Sequence, residues 1–252
     1  MRPLWVRWTL LVVSVAVLGT VFVNLGEWQL ARLDARQQRN ADTLANEGNP
    51  VVPFEQVFGR PIRESDQWQR VEARGTFDAE HQYVLRYRSN GDAGGYEIVT
   101  PLRTAAGNVL VDRGFVTLAR GEPIPAVAPA PPAGEVTVVG HVRRDERGRG
   151  PATRPVDGQM RLINSAAIAP TLPYPIVNGY IGLLTVDPPQ SGELRPVQLP
   201  EISDGPHFWY AVQWFMFTAI ALAGVVVFIR GDLRARKQAP KSVGETKVTL
   251  PS

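Results

Sequence analysis

The sequence predicts a membrane protein of the α+β class, in which two transmembrane helices form a hairpin and flank a mainly antiparallel β domain outside the cytoplasm. Three observations carry this prediction. Two windows of the 252-residue chain, 8–25 and 207–229, contain no Asp, Glu, Lys or Arg. The segment between them, 26–206, is polar and contains short runs rich in Val, Ile, Tyr and Phe. The positive excess of the chain lies at its two ends.

The first apolar window, 8–25, predicts a transmembrane helix that follows a cytoplasmic N-terminus at 1–7. At about 1.5 Å per residue the window spans roughly 27 Å, close to the roughly 30 Å of the hydrocarbon core of a bilayer. The alternative is a cleaved signal peptide, since Arg2 and Arg7 precede a short apolar region. Because no small-x-small cleavage site follows the window, we expect it to be retained as an anchor.

The second apolar window, 207–229, spans roughly 34 Å as a helix and predicts a second crossing. The segment after it, 230–252, contains six basic residues against two acidic ones, and 1–7 contains two basic residues. Lys and Arg near membrane ends stay on the cytoplasmic side. We therefore expect two cytoplasmic ends, with 230–252 as a basic tail and 26–206 as the extracytoplasmic domain.

The extracytoplasmic segment is expected to begin as a helix and to continue mainly as strands. Helical spacing extends from the first crossing to about residue 47, where Gly48-Asn49-Pro50 ends it. After Pro50, no window of ten or more residues has the pattern of an amphipathic helix. Short runs broken by Gly, Asn, Pro and Asp indicate an antiparallel sheet or small barrel. The predicted strands are 68–77, 82–88, 95–104, 108–118, 135–143 and 179–187. Within 108–118, Gly114 is expected to mark a bulge or a close backbone approach, and Arg113 to turn toward an acidic partner or the membrane face.

Two segments between the predicted strands have the composition of loops. Residues 122–134 contain five prolines and predict an extended spacer with little packing. Residues 143–155 contain five arginines among Gly and Pro. Such a run indicates either a solvated loop or contact with an anionic partner or lipid headgroups, and we favour the solvated loop.

Composition and missing motifs exclude several classes of function. The absence of Cys excludes disulfide scaffolds, thiolate zinc sites, iron–sulfur clusters and Cys nucleophiles. No nucleic-acid partner is expected, because 26–206 carries 19 Arg against 22 acidic residues. No G-x-x-x-x-G-K, H-E-x-x-H, G-x-S-x-G or G-x-G-x-x-G motif is present. His81 and His141 lie in or beside predicted strands without a partner at ligand spacing, so we expect structural roles for both and no catalytic residue.

His207 differs from the other histidines because it opens the second apolar helix. Tyr210, Ala211 and Trp214 follow it at helical spacing on the same side. The positive end of a helix dipole disfavours imidazolium, so a neutral ring able to ligate a metal is expected. An imidazole beside aromatic rings at a membrane surface suits a haem iron. The alternative is an interfacial His that only anchors the helix.

A second cluster lies at the outer end of the first crossing, in the sequence L-G-E-W-Q-L-A-R-L at 25–33. Its Trp28 is expected at the same membrane depth as Trp214. Arg32 has the planar fork that binds a propionate or a phospholipid phosphate through two hydrogen bonds. Interfacial Trp and Arg are equally common in other membrane proteins, so the cluster alone does not identify a site.

Together, these clusters resemble the Surfeit locus protein one family over about Val13 to Gly231. The resemblance rests on five motifs that occur in the same order: L-G-x-W-Q-x-x-R-L at 25–33, G-x-F at 75–77, G-Y-x-x-x-T-P-L at 95–102, V-x-R-G-[WF]-V at 111–116 and H-x-x-Y-A-x-x-W-F at 207–215. The chain departs from the family pattern at two places. Phe115 stands where many members have Trp, and Gly205-Pro206 replaces the polar pair often found before the His of the last motif.

The resemblance implies an assembly factor of haem–copper cytochrome c oxidase and not an enzyme. Members of this family support insertion or delivery of haem a into oxidase subunit I, so that subunit, the haem a synthesis machinery and the lipid bilayer are the implied partners. Some bacterial members bind haem through the His that His207 matches. This implies haem a as a transient cofactor with His207 as its metal ligand, and Tyr210, Trp214, Trp28 and Arg32 around it.

Residue usage indicates the source and the location. The chain is rich in Arg, Ala and Val and poor in Lys, which is typical of a high-GC bacterium, and no transit peptide is visible. We therefore expect a multi-pass protein of a bacterial plasma membrane.

Two other hypotheses remain beside a haem-carrying assembly factor. The first is a membrane scaffold that contacts the nascent oxidase subunit without holding haem. The second is a surface hydrolase, which the missing motifs disfavour and which would need a pocket that pairs His81 or His141 with a Ser or a carboxylate.

The charge distribution at the two ends predicts a topology that a reporter fusion can test. A reporter that is active only in the cytoplasm should be active when fused after Ser252, because the basic tail stays on that side. The same reporter inserted at Pro129 should be inactive. Activity at Pro129 would contradict the hairpin.

Overall fold

In the computed structural model the chain divides into two units. The helical unit consists of Met1–Gln37 with Asp204–Ser252, and the β domain consists of Gln38–Ser203. The structure describes residues 3–119, 121–124, 128–192, 194–196, 198–199 and 202–238. Most of the predicted basic tail, from 239 onward, therefore lies outside the described residues.

Two helices are long and apolar enough to cross a membrane. Helix α1 is Leu4–Gly48 and helix α5 is His207–Gln238. Helix α1 continues without a break through its polar part and ends at Gly48, where the sequence predicts the end of the helical extension. Helix α5 passes beyond residue 229, so the first part of the predicted tail is helical. The membrane boundaries 8–25 and 207–229 stay predictions.

Helices α1 and α5 pack as an antiparallel pair, called the helix pair below. The indole Nε1 of Trp8 donates to Oδ2 of Asp232 at 3.0 Å. Further along, a Cβ added to Gly26 would lie 2.6 Å from the ring of Phe215. Close approach at small residues is typical of helices in lipid, where no hydrophobic effect drives helices together. The antiparallel arrangement agrees with the predicted hairpin, while insertion in a membrane stays a prediction.

All six predicted strands are present in the β domain, with ends that differ from the predicted ones by at most two residues. Short elements complete the domain: strands β1 (Val52–Pro53) and β7 (Gln159–Met160), and helices α2 (Glu55–Phe58), α3 (Gly150–Thr153) and α4 (Ser165–Ile168). The long strands are β2 (Arg70–Phe77), β3 (Tyr83–Asn90), β4 (Ala93–Thr104), β5 (Gly107–Thr117), β6 (Glu135–Arg143) and β8 (Tyr180–Asp187).

The strands form a small closed barrel. Strands β2, β6, β8, β5 and β4 are neighbours in that order, and β4 also pairs with β2, which closes the ring. The pairings in the ring are antiparallel except that of β5 with β8. Strand β3 extends the sheet beside β4, and β1 and β7 add short parallel pairs. The predicted mainly antiparallel sheet or small barrel is confirmed for the described residues.

Strand β5 separates two hydrophobic clusters. Val109 and Val111 belong to one cluster, and Leu110 between them belongs to the other. Successive side chains of a strand point to opposite faces, so β5 is apolar on both. Strand β2 contributes Val71 and Ala73 to the first cluster at the same spacing. The barrel strands therefore bury two layers of apolar side chains.

A β-bulge in β5 lies at Arg113 and Gly114. The pairing of β5 with β4 shifts register between Glu97 and Val99. Gly114 has a φ of +124°, and a Cβ there would lie 2.5 Å from the carbonyl oxygen of Arg195. The prediction that Gly114 marks a bulge or a close backbone approach is confirmed.

Arg113 is fully buried, and the expectation that it turns toward an acidic partner or the membrane is wrong. Its guanidinium donates to the side-chain oxygen of Gln82 at 2.8 Å and of Gln190 at 3.2 Å. It also donates to the carbonyl oxygens of Pro129 at 2.8 Å and Ala130 at 3.0 Å. Burial lowers the pKa of Arg113 to about 10. Four neutral oxygens thus hold the charge.

The acceptors at Pro129 and Ala130 also correct the prediction for the proline-rich segment 122–134. The sequence predicts a spacer with little packing, but its two carbonyl groups bind a buried charge, and Ile124 packs on a core cluster. Residues 125–127 lie outside the described part of the chain. Pro129 and Ala130 lie outside helices and strands, so their carbonyl groups can accept hydrogen bonds from Arg113. The proline-rich segment therefore has a structural role.

The arginine-rich segment 143–155 is only in part the solvated loop that we favoured. The guanidinium of Arg143 lies 3.8 Å from the ring centroid of Trp68, and Arg144 pairs with Glu64. From Arg147 to Pro151 the residues are exposed. The first part of the segment is therefore packed, and the second part faces solvent.

The bulge predicts that Gly114→Val destabilises the barrel. A side chain at φ +124° is strained and would meet the carbonyl of Arg195, so the free energy of unfolding should fall by about 3 kcal/mol. Thermal unfolding of the full chain in detergent, followed by Trp fluorescence, measures this loss. Gly94→Val is the matched control, because Gly94 lies in β4 with nothing within 4 Å of its added Cβ. Equal loss in both variants would contradict the bulge argument.

Candidate functional site

His207 begins α5 and forms a hydrogen bond with Gln29 of α1. The distance from His207 Nδ1 to Gln29 Oε1 is 2.8 Å. Because an amide oxygen can only accept, Nδ1 is the donor, and in the neutral form of the ring the lone pair is then on Nε2. This is the tautomer in which the ring binds a metal ion through Nε2, with its other nitrogen held by a hydrogen bond.

Trp214 lies two turns after His207 and packs within the helix pair. Its ring centroid is 5.6 Å from that of Phe22 in α1 and 5.9 Å from that of Phe217. Ala211, between His207 and Trp214, is buried. The α5 face that packs on α1 therefore contains His207, Ala211 and Trp214. Tyr210 lies beside this face and is 47% exposed.

Trp28 and Arg32 lie together on an exposed face of α1. The guanidinium carbon of Arg32 is 5.9 Å from the ring centroid of Trp28, within the range of a cation–π contact. Trp28 is 55% exposed. Among the described contacts, the hydrogen bond of His207 goes to Gln29 and to neither of these residues. The structure thus joins Trp28 with Arg32 and His207 with Gln29.

Gln29 is the residue of this region that sequence reasoning missed. The aromatic and charged residues of the segment 25–33 indicate only one of its two helical faces. Trp28 and Arg32 are four residues apart on one face, and Gly26, Gln29 and Leu33 follow the spacing of the other. Gly26 is buried against α5. This spacing was the signal that could have placed Gln29 opposite His207.

The other two histidines each have a carboxylate partner, which the sequence spacing does not predict. His141 is buried, and its Nε2 lies 2.5 Å from Oε2 of Glu47. Burial lowers the pKa of His141. His81 Nδ1 lies 2.8 Å from Oδ2 of Asp78, which also accepts a hydrogen bond from Tyr174.

His81 and Asp78 line one cavity, so the pair of a histidine with a carboxylate that the hydrolase hypothesis requires is present there. In the described contacts, His81 and His141 bind carboxylates and no Ser hydroxyl. Among the described residues, no group of three or more His, Cys, Asp or Glu is arranged to hold a metal ion. His207 remains the candidate metal ligand on the helix pair, because its Nε2 has no hydrogen-bond partner among the described contacts.

A second concentration of titratable groups is buried in the barrel wall. Asp112 and Glu97 are buried, and Glu97 Oε2 lies 2.7 Å from Nε of Arg88. Asp112 Oδ1 accepts a hydrogen bond from the backbone N–H of Gly114 at 3.1 Å. Burial raises the pKa of Asp112 and of Glu97. Asp112 thus supports the bulge at Gly114, which indicates a structural role.

Comparison with known proteins gives a match over both units. The model of the SURF1 family matches residues 16–219. Uncharacterized SURF1-like proteins of Mycobacterium bovis and Mycobacterium tuberculosis are 28% identical to this chain over 246 residues. These alignments cover 94% of the chain and 88% of each relative. The matched residues include Gln29 and His207.

The buried carboxyl of Asp112 predicts an unusual dependence of stability on pH. A carboxyl whose pKa is raised by folding binds its proton more tightly in the folded protein than in the unfolded chain. Its contribution to the free energy of unfolding is therefore most favourable below the unfolded pKa of about 3.9 and weakens as pH rises. The free energy of unfolding of Asp112→Asn, relative to that of the unchanged chain, should therefore increase from pH 4 to pH 7. Chemical denaturation at several pH values measures this difference.

Asp66→Asn is the control of opposite sign. The hydrogen bond from Arg60 lowers the pKa of Asp66, so this carboxylate stabilises the fold at neutral pH and loses that effect as pH falls. The Asp66→Asn variant should lose stability relative to the unchanged chain as pH rises. The same trend in both variants would contradict the assignment of Asp112.

Proposed function

The chain belongs to the SURF1 family, and from this premise we propose that it is an assembly factor of cytochrome c oxidase that carries haem a for oxidase subunit I on its helix pair. The family is linked to cytochrome oxidase assembly, and its members are assembly factors rather than catalysts. The observation that supports haem binding most directly is the hydrogen bond between His207 and Gln29, since it leaves Nε2 of His207 free.

Side chains on two faces of the helix pair have the chemistry that haem requires. A haem would supply an iron that an imidazole can bind, an apolar macrocycle and two anionic propionates. His207 provides the neutral nitrogen, and Trp28 and Tyr210 provide exposed aromatic surface. Arg32 provides a guanidinium beside Trp28 for a propionate. A single imidazole suits haem better than zinc, which needs three or four protein ligands.

Two residues in this proposal act by positioning. Gln29 holds the His207 ring in one tautomer and orientation, and such outer partners raise the affinity of a metal ligand. Trp214 is fixed between Phe22 and Phe217, so it offers a rigid apolar wall two turns below the imidazole. Neither residue needs to move for the site to form, because both are already held by contacts in the helix pair.

The proposed site suits transient binding and not permanent storage. The sequence has no Cys, so no thioether can attach the haem covalently. One protein ligand and exposed aromatic neighbours leave much of the group open to a partner. We infer a transfer in which the haem a synthesis machinery supplies the group and subunit I takes it at a bacterial plasma membrane. Both ends of the chain are cytoplasmic in this proposal.

Haem retention by variants tests the proposal. His207→Ala should abolish haem absorbance in the purified full chain, because it removes the proposed iron ligand. Gln29→Leu should lower the affinity for haem by about 10- to 100-fold, as loss of an outer partner does. Arg32→Ala should lower it by about tenfold or more through a lost charge-assisted hydrogen bond. Absorbance spectra at equal protein concentration, with haem titrated back, measure these losses.

His81→Ala is the matched control, since it removes an imidazole that pairs with Asp78 in the β domain. This variant should retain haem. If His207→Ala keeps an unchanged haem spectrum, the ligand assignment is wrong. If neither the unchanged chain nor any variant binds haem while oxidase assembly still requires the protein, the scaffold hypothesis replaces the proposed one.

A further inference from the structure

A cavity of about 580 Å³ in the β domain is lined by positively charged side chains. Arg86 and Tyr87 of β3 form one side of it. Arg149 and Arg161, which flank helix α3 and strand β7, form the other side. The volume lies within the range of about 300–1,000 Å³ that is typical of small-molecule sites.

Tyr87 is held in a backbone conformation that does not favour a bulky residue. It lies in a β-bulge, since the pairing of β3 with β4 shifts register between Leu85 and Arg88. Its φ is +61°, in the left-handed region that glycine adopts without strain. Its side chain is 70% exposed, so the ring gains little from burial. Folding alone therefore does not explain a tyrosine at this position.

The ring of Tyr87 is shared by two cations. The guanidinium carbons of Arg86 and Arg161 each lie 5.1 Å from its centroid. A ring face attracts a cation, so Tyr87 keeps two like charges near one another at the cavity. Strained, exposed residues of this kind are found at ligand sites, where the strain is part of the positioning.

The positive charge of the cavity has no counter-charge. Arg88 is neutralised by Glu97 at 2.7 Å and Glu146 at 2.8 Å. Within the part of the chain that the structure describes, no carboxylate lies within 4 Å of Arg86, Arg149 or Arg161. All three are exposed. Three guanidinium groups around one cavity form a site for an anion that carries more than one charge.

We propose that this cavity binds an organic phosphate. A phosphate monoester carries a charge of about −1.5 to −2 and three acceptor oxygens, which match several guanidinium forks better than one carboxylate does. Pro151 and Leu162 line the cavity beside the charges and give the organic part of the ligand an apolar surface. The phosphate belongs to a lipid headgroup or to a soluble phosphate ester. The site lies within the β domain and does not depend on haem binding.

Titration calorimetry on the full chain in a neutral detergent tests the proposal and separates the two sources. The first probe is glycerol 3-phosphate, and the second is dihexanoyl phosphatidic acid below its micellar concentration. Similar affinity for both indicates a soluble phosphate ester. Affinity at least tenfold higher for the diacyl compound indicates a lipid headgroup whose chains use the apolar wall. Hexaglutamate is the competing anion, and it should bind more weakly than either phosphate.

The double variant Arg149→Gln/Arg161→Gln should lower phosphate affinity by about tenfold or more for each arginine. The control is Arg39→Gln/Arg74→Gln, which makes the same change in charge at exposed positions outside the cavity. Equal loss in the two double variants would show a non-specific charge effect and overturn the proposal.

Tyr87→Gly separates a binding role from a structural one. Glycine accepts a φ of +61° without strain, so the midpoint of thermal unfolding should stay the same or rise. Phosphate affinity should fall, because Arg86 and Arg161 lose the ring that holds them together. A lower midpoint with unchanged affinity would assign Tyr87 to folding. Absence of phosphate binding by the unchanged chain, or tighter binding of hexaglutamate, would also overturn the proposal.

Discussion

The antiparallel pairing of α1 with α5 is the contact on which the arrangement of the chain depends, because these helices come from opposite ends of the sequence. In the proposed membrane setting, lipid would supply no hydrophobic drive for two helices to associate, so packing and interhelical hydrogen bonds would hold them. Gly26 lets Phe215 approach, and Trp8 donates to Asp232. The hydrogen bond from Gln37 to Asp204 joins the points where the chain leaves the pair and returns to it.

Much of the fold could be predicted from the sequence because its signals are local. Alternating apolar residues marked the six long strands, and Gly114 marked a bulge, since each depends on a few neighbouring residues. The pairing of β5 with β8 is parallel and joins segments that are distant in the sequence, so no local pattern predicts it. The hydrogen-bond partners of Arg113 could not be predicted for a similar reason. Its acceptors are backbone carbonyls and Gln side chains, and oxygens of that kind occur everywhere in a sequence.

The sequence likewise predicts one part of the candidate site and not the other. The position of His207 at a helix start follows from the sequence, as does the presence of Arg32 and Trp28 just after the first apolar window. The sequence does not predict the partner of His207, because Gln29 is neutral and lies on another segment of the chain. A carboxylate in place of Gln29 would also fix the tautomer, but it would add a negative charge beside the imidazole. The amide fixes the tautomer without adding charge.

The buried charge of Arg113 constrains the order in which the barrel assembles. Its guanidinium stays protonated under all physiological conditions, so it cannot enter the core by losing its charge. Its acceptors come from residues 82, 129, 130 and 190, the last of which follows β8. A chain that emerges from its N-terminal end exposes Arg113 well before Gln190 exists. Until then the Nε donor of Arg113 has no acceptor from Gln190, and water must solvate it. Burial with all four acceptors in place is therefore possible only after β8 has been synthesised.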